Sequence, residues 1–248
     1  MGLIDNQLEN VKHSVLSPSS AYRWTKCPAS VAYKSTAGAE AELGTKAHEQ
    51  AAMILNGLTD DLCGYQIDTY IQAVKELEGE RYIEYRLNLT SLIPNCWGTA
   101  DCIVLQDNTA YVIDLKYGMD KGEAIENKQL LLYAYGVLTN LKMVETVNMV
   151  ICQPRLAYES ISTWTLSSNE IMTRCNQIGK QAKIALLQME LEEKDRNFCP
   201  SREGCKYCPH SKNCKALSLI VSHEQLEGMS SKLDKAFMLK PWVDNILT

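Results

Sequence analysis

The sequence predicts an α/β fold: a helix, a three-stranded antiparallel meander, a second helix and a further strand, forming a mixed sheet with extra helices at both ends. Three observations carry this. Residues 82–89 alternate Tyr, Ile, Glu, Tyr, Arg, Leu, Asn, Leu, the period of a half-buried strand. Two apolar runs, 102–105 and 110–113, flank Gln106-Asp107-Asn108-Thr109, a turn signal that joins them as a hairpin. Ile171, Cys175, Ile178, Ala182, Ala185 and Met189 form one apolar stripe at helical spacing.

The elements follow in order. Ser17-Pro18-Ser19-Ser20 reads as a helix start, with Ser17 as N-cap and Pro18 in the first position. This short helix runs through Tyr22 and Trp24 and stops near Cys27-Pro28. Thr45 opens a second helix, through His48 to about Asn56, with Gly57 as its stop. A third spans 66–78 and ends at Gly79. Strands are expected at 82–89, 97–105 and 110–117, then a helix over 124–139 with an apolar 130–138 stretch. Val147 to Cys152 is a short buried strand before Pro154, and 161–166 another. Ser168 caps a long helix to about Lys194. Residues 197–216 form a loop region rich in Cys, Pro and Lys, and the tail from 222 carries no assigned role.

A chain of 248 residues suits a single domain over 1–248, with its core at about 40–166. Hydrophobic content of 46% and charge of 22% allow a sizeable core. No apolar run approaches a membrane span, and the polar N-terminus MGLIDNQLEN lacks the pattern of a signal peptide, so the cytoplasm is expected. The net charge of −5 argues against a passive nucleic-acid coat, which would be basic, but not against an enzyme with a local basic groove. Ten cysteines in such a chain imply metal or cluster binding for some of them. Cys63, Cys96, Cys102, Cys152 and Cys175 are scattered in apolar patterns and read as small buried hydrophobes.

The hairpin carries the first chemical signal. With Asp107 and Asn108 at the turn, the register sets Asp101 opposite Asp114, with Cβ atoms about 4.5–5.5 Å apart. Like charges so placed are destabilising unless a cation compensates. Lys116, two residues on, projects from the same face. Two carboxylates and an ammonium suit a divalent metal beside a phosphodiester; solvated charges on an exposed hairpin are the plainer alternative. His48, on the helix opened by Gly44-Thr45, is a candidate third ligand. Gln129 and Tyr133 share a helix face and could hold a phosphate, orient a water or support Lys116, or else be a helix-boundary residue and a core tyrosine. Glu84 reads as a solvent-facing residue, with a supporting or second-metal role as the alternative.

The second signal is Cys205-Lys206-Tyr207-Cys208, followed by Cys214. Three thiols in a C-x2-C-x5-C pattern need one more ligand for a four-coordinate site. Cys27 and Cys199 are the candidates, with His210 a third choice for zinc.

These motifs, in this order, resemble the RecB-like nucleases of the PD-(D/E)xK superfamily. The likeness is to the branch with an iron–sulfur cluster, which includes the AddB nuclease domain and a CRISPR-associated exonuclease, and within it to a phage and prophage group. It covers roughly residues 14–216. Ser17-Pro18-Ser19 through Cys27-Pro28 matches the family's first cysteine segment, and Cys205, Cys208 and Cys214 match its C-terminal triplet. Gly44 to His48, Gly98 to Asp101, Asp114-Leu115-Lys116 and Gln129 with Tyr133 match the other motifs in turn.

The resemblance implies a restriction-endonuclease-like core with a C-terminal cysteine-rich region, 197–216, joined by Cys27. It implies a metal-dependent deoxyribonuclease, with exonuclease the expected mode, acting in phage or prophage recombination or repair. Asp101, Asp114, Lys116, Gln129 and Tyr133 would be catalytic, and His48, Asp101, Asp114 and the Leu115 carbonyl would hold Mg2+ or Mn2+. Cys27, Cys205, Cys208 and Cys214 would hold a structural 4Fe-4S cluster, with Zn2+ the alternative. Cys199 lies outside the family pattern, and Cys27 is preferred because it closes the longer loop. DNA is the expected partner, with a phage single-strand annealing or recombination protein beside it. A catalytically silent DNA-binding module and a zinc-binding adaptor built on Cys199–Cys214 are the competing classes.

Overall fold

The computed structural model of the chain describes residues 14–34 and 39–221. The central element is a five-stranded mixed sheet in the order β1 (Glu80–Asn88), β2 (Trp97–Gln106), β3 (Thr109–Leu115), β4 (Thr146–Cys152) and β5 (Ile161–Ser167). Neighbours run antiparallel except β3 and β4, which are parallel and joined through a crossover helix. The mixed α/β arrangement read from the sequence is therefore the observed one.

The β2–β3 hairpin keeps the predicted register. Gln106 pairs with Thr109 and Cys102 with Ile113 across an Asp107-Asn108 turn, in which Asp107 takes a φ of +50°. Aspartate tolerates that left-handed geometry better than most residues. Ladder pairing stops at Cys102 and Ile113, one step short of Asp101 and Asp114.

The helices are α1 (Ala21–Trp24), α2 (Ala39–Leu55), α3 (Asp68–Lys75), α4 (Lys128–Asn140), α5 (Ser168–Leu187), α6 (Arg202–Cys205) and α7 (Lys215–Val221), and of these α2, α3 and α4 pack around the hairpin. From α2 and α3, Ala47, Ala51, Ile54, Tyr70, Ile71 and Val74 pack with Cys102, Val104, Ile113 and Leu115 of the hairpin. The crossover helix α4 buries every residue from Leu130 to Leu138. The apolar run 130–138 thus marks a helix enclosed on all sides.

Several boundaries differ from the sequence reading, each for a local reason. Helix α2 begins at Ala39, so Thr45 is interior and its hydroxyl donates back to the Ala41 carbonyl at 2.9 Å. The segment after Ser17 is a 3-10 turn, Pro18–Ser20, leading into the single turn of α1, and Ser17 Oγ lies 3.2 Å from Ser19 Oγ. Helix α4 starts at Lys128, where the Asn127 side chain accepts from the Leu130 N–H. The long helix is capped by Ser167, not Ser168: Glu170 reaches back to the Ser167 N–H at 2.9 Å, a capping box. It ends at Leu187, where Arg196 Nε donates to the Gln188 and Leu191 carbonyls, turning the chain before Lys194. Region 197–216 is not all loop, since it holds α6, a 3-10 turn at Ser211–Asn213 and the start of α7. The expected tail from 222 lies outside the described residues.

The described residues fall into two compact units. One comprises 14–19 and 39–176, the other 20–34 and 177–221. The first contains the sheet. The second has a small core of its own, in which Cys205, Cys214 and Leu217 are joined by Phe198, Ala216 and Ile220. No helix among the described residues is long and apolar enough to cross a membrane.

Candidate functional site

Where the ladder stops, β2 and β3 part, and a side chain takes over from the backbone. Asp101 Oδ2 accepts the Leu115 N–H at 2.7 Å, a donor the next ladder pair would otherwise have used. Across the gap, α2 presents His48. Its Nδ1 lies 2.8 Å from the Gly44 carbonyl, and its Nε2 lies 2.9 Å from the Leu115 carbonyl and 3.3 Å from Asp101 Oδ2.

This geometry is chemically specific. A carbonyl can only accept, so Nδ1 carries a proton, and that fixes the ring. Nε2 then faces two further oxygen acceptors. Three lone-pair atoms meeting at one point need a proton or a cation between them. With a proton, His48 is an imidazolium. Burial opposes that charge, but the charge and hydrogen bond of Asp101 and the Gly44 carbonyl outweigh it, raising the group to about 9. Burial would likewise raise Asp101, yet His48, Lys116 and the Leu115 N–H hold its carboxyl below the usual range. One imidazole nitrogen, one carboxylate and one carbonyl form a donor set suited to a hard divalent cation.

Beside it runs a second chain of contacts. Asp114, only 2% exposed, places Oδ2 2.7 Å from Lys116 Nζ. Lys116 Nζ also donates to Gln129 Oε1 at 2.9 Å, while Gln129 Nε2 donates to Asp114 Oδ1 at 2.9 Å and to the Tyr133 hydroxyl at 3.2 Å. Reversing the Gln129 amide would aim its NH2 at the ammonium, so the network selects one orientation. Burial works against the charge on Lys116, but Asp114 and Asp101 more than compensate. Burial pushes Asp114 up, and Lys116 offsets this only in part. Burial raises Tyr133 as well, leaving it a neutral hydroxyl.

One open cleft is lined by His48, Asp101, Asp114, Lys116, Gln129 and Tyr133, together with Gly44, Thr45, Glu84, Trp97, Gly98 and the Ser17–Ser19 segment. The structure thus gathers every sequence-predicted residue of the cation site. Gly98 leaves no room for a side chain: a Cβ there would lie 2.7 Å from Pro18 Cγ and 2.8 Å from Tyr133 Cε1. Among the described residues no three His, Cys, Asp or Glu side chains are arranged to hold a metal ion. The donor set above accordingly includes a main-chain oxygen.

The second unit holds the cysteines. Cys27, Cys205, Cys208 and Cys214 line one small enclosed cavity with Ser30, Tyr33, Phe198, His210 and Ser211. Cys199 is not among its walls. Its thiol is exposed and donates to Asn197 Oδ1 at 3.3 Å, while its N–H donates to Cys27 Sγ at 3.4 Å. Cys214 Sγ accepts the Leu217 N–H at 3.4 Å. His210 stacks on Tyr33 with centroids 3.8 Å apart, and its Nε2 lies 3.9 Å from Glu193. Burial pushes the Cys205 thiol up to about 12 and raises Cys27 and Cys208 too. Such thiols are inert unless a metal displaces their protons. Cys27, Cys205 and Cys214 are buried and Cys208 half-buried, N–H donors are aimed at two of the sulfurs, and no three are placed to share a single metal ion; a larger thiolate-bound cluster would suit them.

A family model described as "Protein of unknown function (DUF2800)" matches residues 13–81 and 55–235. The chain belongs to the DUF2800 family. Among solved structures, one described as "Crystal structure of SSO0001" is 19% identical, over 81% of this chain and 85% of that one, with a TM-score of 0.40.

In this DUF2800 member Glu84 is exposed, as the sequence suggests, and it also lines the cleft. It has a φ of +50° and drops out of the ladder between the pairs Ile83–Cys102 and Tyr85–Ala100. That left-handed geometry costs roughly 1 kcal/mol or more for such a residue. Partial burial and then the charge of Asp101 push its carboxyl up to about 7. Arg86, with its guanidinium 3.9 Å from the Trp97 ring centroid, was not singled out. Neither leaves a signal in the alternation of β1, which treats both as ordinary polar positions.

Proposed function

We propose that the protein is a divalent-metal-dependent nuclease of the RecB-like kind, acting on DNA. The observation that carries this reading is the meeting of His48 Nε2, Asp101 Oδ2 and the Leu115 carbonyl beside the Lys116–Asp114–Gln129–Tyr133 chain. His48, Asp101, Asp114 and the Leu115 carbonyl would hold Mg2+ or Mn2+. Bound there, the cation supplies charge that polarises a phosphodiester and acidifies water.

The chain's own groups do the rest. Asp114 and Gln129 hold Lys116 in one rotamer, with two of its three N–H donors committed. The remaining donor serves charge developing on the phosphate or orients water. Tyr133 accepts from Gln129, so its own proton is available to a phosphate oxygen. Gly98 lets Tyr133 and Pro18 approach closely and keeps that wall of the cleft shallow.

Exonuclease action on linear DNA is the expected mode. The test compares native protein and Lys116→Ala on end-labelled linear DNA, with Mg2+ or Mn2+ and with chelator. Native protein degrades DNA with metal alone, and the variant loses the activity. Equal activity in both would remove the assignment.

A further inference from the structure

Two polar wall atoms of the cysteine cavity, Ser30 Oγ and His210 Nε2, are buried without a hydrogen-bond partner. Ser30 is 1% exposed, and its Oγ is buried without a hydrogen-bond partner. It lines the same cavity as Cys27, Cys205, Cys208 and Cys214. Its backbone is fully employed in the 3-10 turn Pro28–Ala32: its N–H donates to the Cys27 carbonyl at 3.0 Å, and its carbonyl accepts from Tyr33 at 3.4 Å. The hydroxyl therefore does nothing for the turn.

Leaving a buried hydroxyl unpaired is destabilising, a cost an alanine would avoid. The acceptors that the four cysteines bring to this cavity are sulfurs, beside the ring of His210 and the Tyr33 hydroxyl. Two of them, Cys27 and Cys214, already receive backbone N–H donors from the polypeptide around them. An O–H at the wall would extend that set towards a sulfur-rich group in the centre.

We propose that the Ser30 hydroxyl donates a hydrogen bond to a sulfur of an iron–sulfur group held by Cys27, Cys205, Cys208 and Cys214, and thereby raises its reduction potential. The proposal rests on the cluster reading of the cavity, not on the nuclease reading of the cleft. The direction follows from electrostatics. A donor drains negative charge from sulfur, and the reduced form, with one more electron, gains more from it than the oxidised form does. Ser30 would be a tuning residue and not a ligand, so its loss leaves the cluster in place.

The experiment uses full-length protein purified anaerobically, as native, Ser30→Ala and Ser30→Thr. Iron, sulfide and zinc are measured, and the reduction potential is followed by visible absorbance and electron paramagnetic resonance. Native and both variants are expected to carry the same iron and sulfide, with a lower potential in Ser30→Ala and a near-native one in Ser30→Thr, which keeps the hydroxyl. A native protein with zinc or no iron overturns the cluster reading and this proposal with it. A loaded native protein whose potential is unchanged in Ser30→Ala overturns the proposal alone, as does a Ser30→Thr variant that behaves like Ser30→Ala.

Discussion

Cation binding in the cleft must compete with a proton, and the structure sets the size of that competition. Burial opposes the charge on His48, but the charge and hydrogen bond of Asp101, with the Gly44 carbonyl, outweigh it and raise the folded-state group from 6.5 to about 9. Because the folded value lies above the unfolded one, the proton's contribution to stability is complete below about pH 6.5 and is lost as pH rises through about 9. It amounts to about 3 kcal/mol in the metal-free protein. A cation bound as proposed would replace that proton. At about pH 7 only about one molecule in a hundred has a neutral His48, so affinity is about a hundredfold weaker than above pH 9. The assay is calorimetric titration with Mn2+ at about pH 7.5 and 8.5, each in two buffers of different ionisation enthalpy. The dissociation constant should tighten about tenfold per pH unit, with about one proton released per cation. As pH falls through about 7, Glu84 takes up a proton in the same cleft and steepens the slope. An affinity flat with pH over this range, or binding without proton release, would refute the placement of the cation at His48 Nε2.

Other expectations follow from the neighbouring contacts. Gln129→Ala removes the acceptor of Lys116 and a donor to Asp114, so turnover on linear DNA should fall on the order of 10²-fold while metal affinity changes little. Gly98→Ala introduces a Cβ against Pro18 and Tyr133; urea denaturation should show about 1–3 kcal/mol of lost stability. Cys27→Ser should abolish visible absorbance and bound iron, whereas Cys199→Ser should keep both, since Cys199 lies outside the cavity walls. An unchanged Cys27→Ser protein would exclude that residue as a ligand.

The hairpin was legible because turn chemistry fixes register and register fixes which side chains share a face. Asp107-Asn108 between two apolar runs sufficed to align Asp101 with Asp114 to within the last ladder pair. The strand parting beyond Cys102 was not legible, because it arises when the Asp101 carboxylate captures the Leu115 N–H, a contact no periodicity records. The helix bearing His48 was found but started late, since Gly44 and Thr45 look like a boundary while tertiary packing of Ala47 and Ala51 carries the helix through them. The Ser167–Glu170 pair has a readable capping-box spacing, which sets the cap one residue before Ser168. Spacing lets either Cys27 or Cys199 complete the triplet; the resemblance and the longer loop favour Cys27, and the cavity wall includes Cys27 and leaves Cys199 outside. Ser30 is likewise silent in sequence, an ordinary serine after a proline turn.

The most direct measurement is anomalous diffraction from crystals of the native protein soaked in Mn2+. A manganese peak should appear about 2.0–2.4 Å from His48 Nε2, the Asp101 carboxylate and the Leu115 carbonyl oxygen. No peak in the cleft at saturating Mn2+, or one that leaves His48 bound to Leu115 and Asp101 as it is now, would contradict the account.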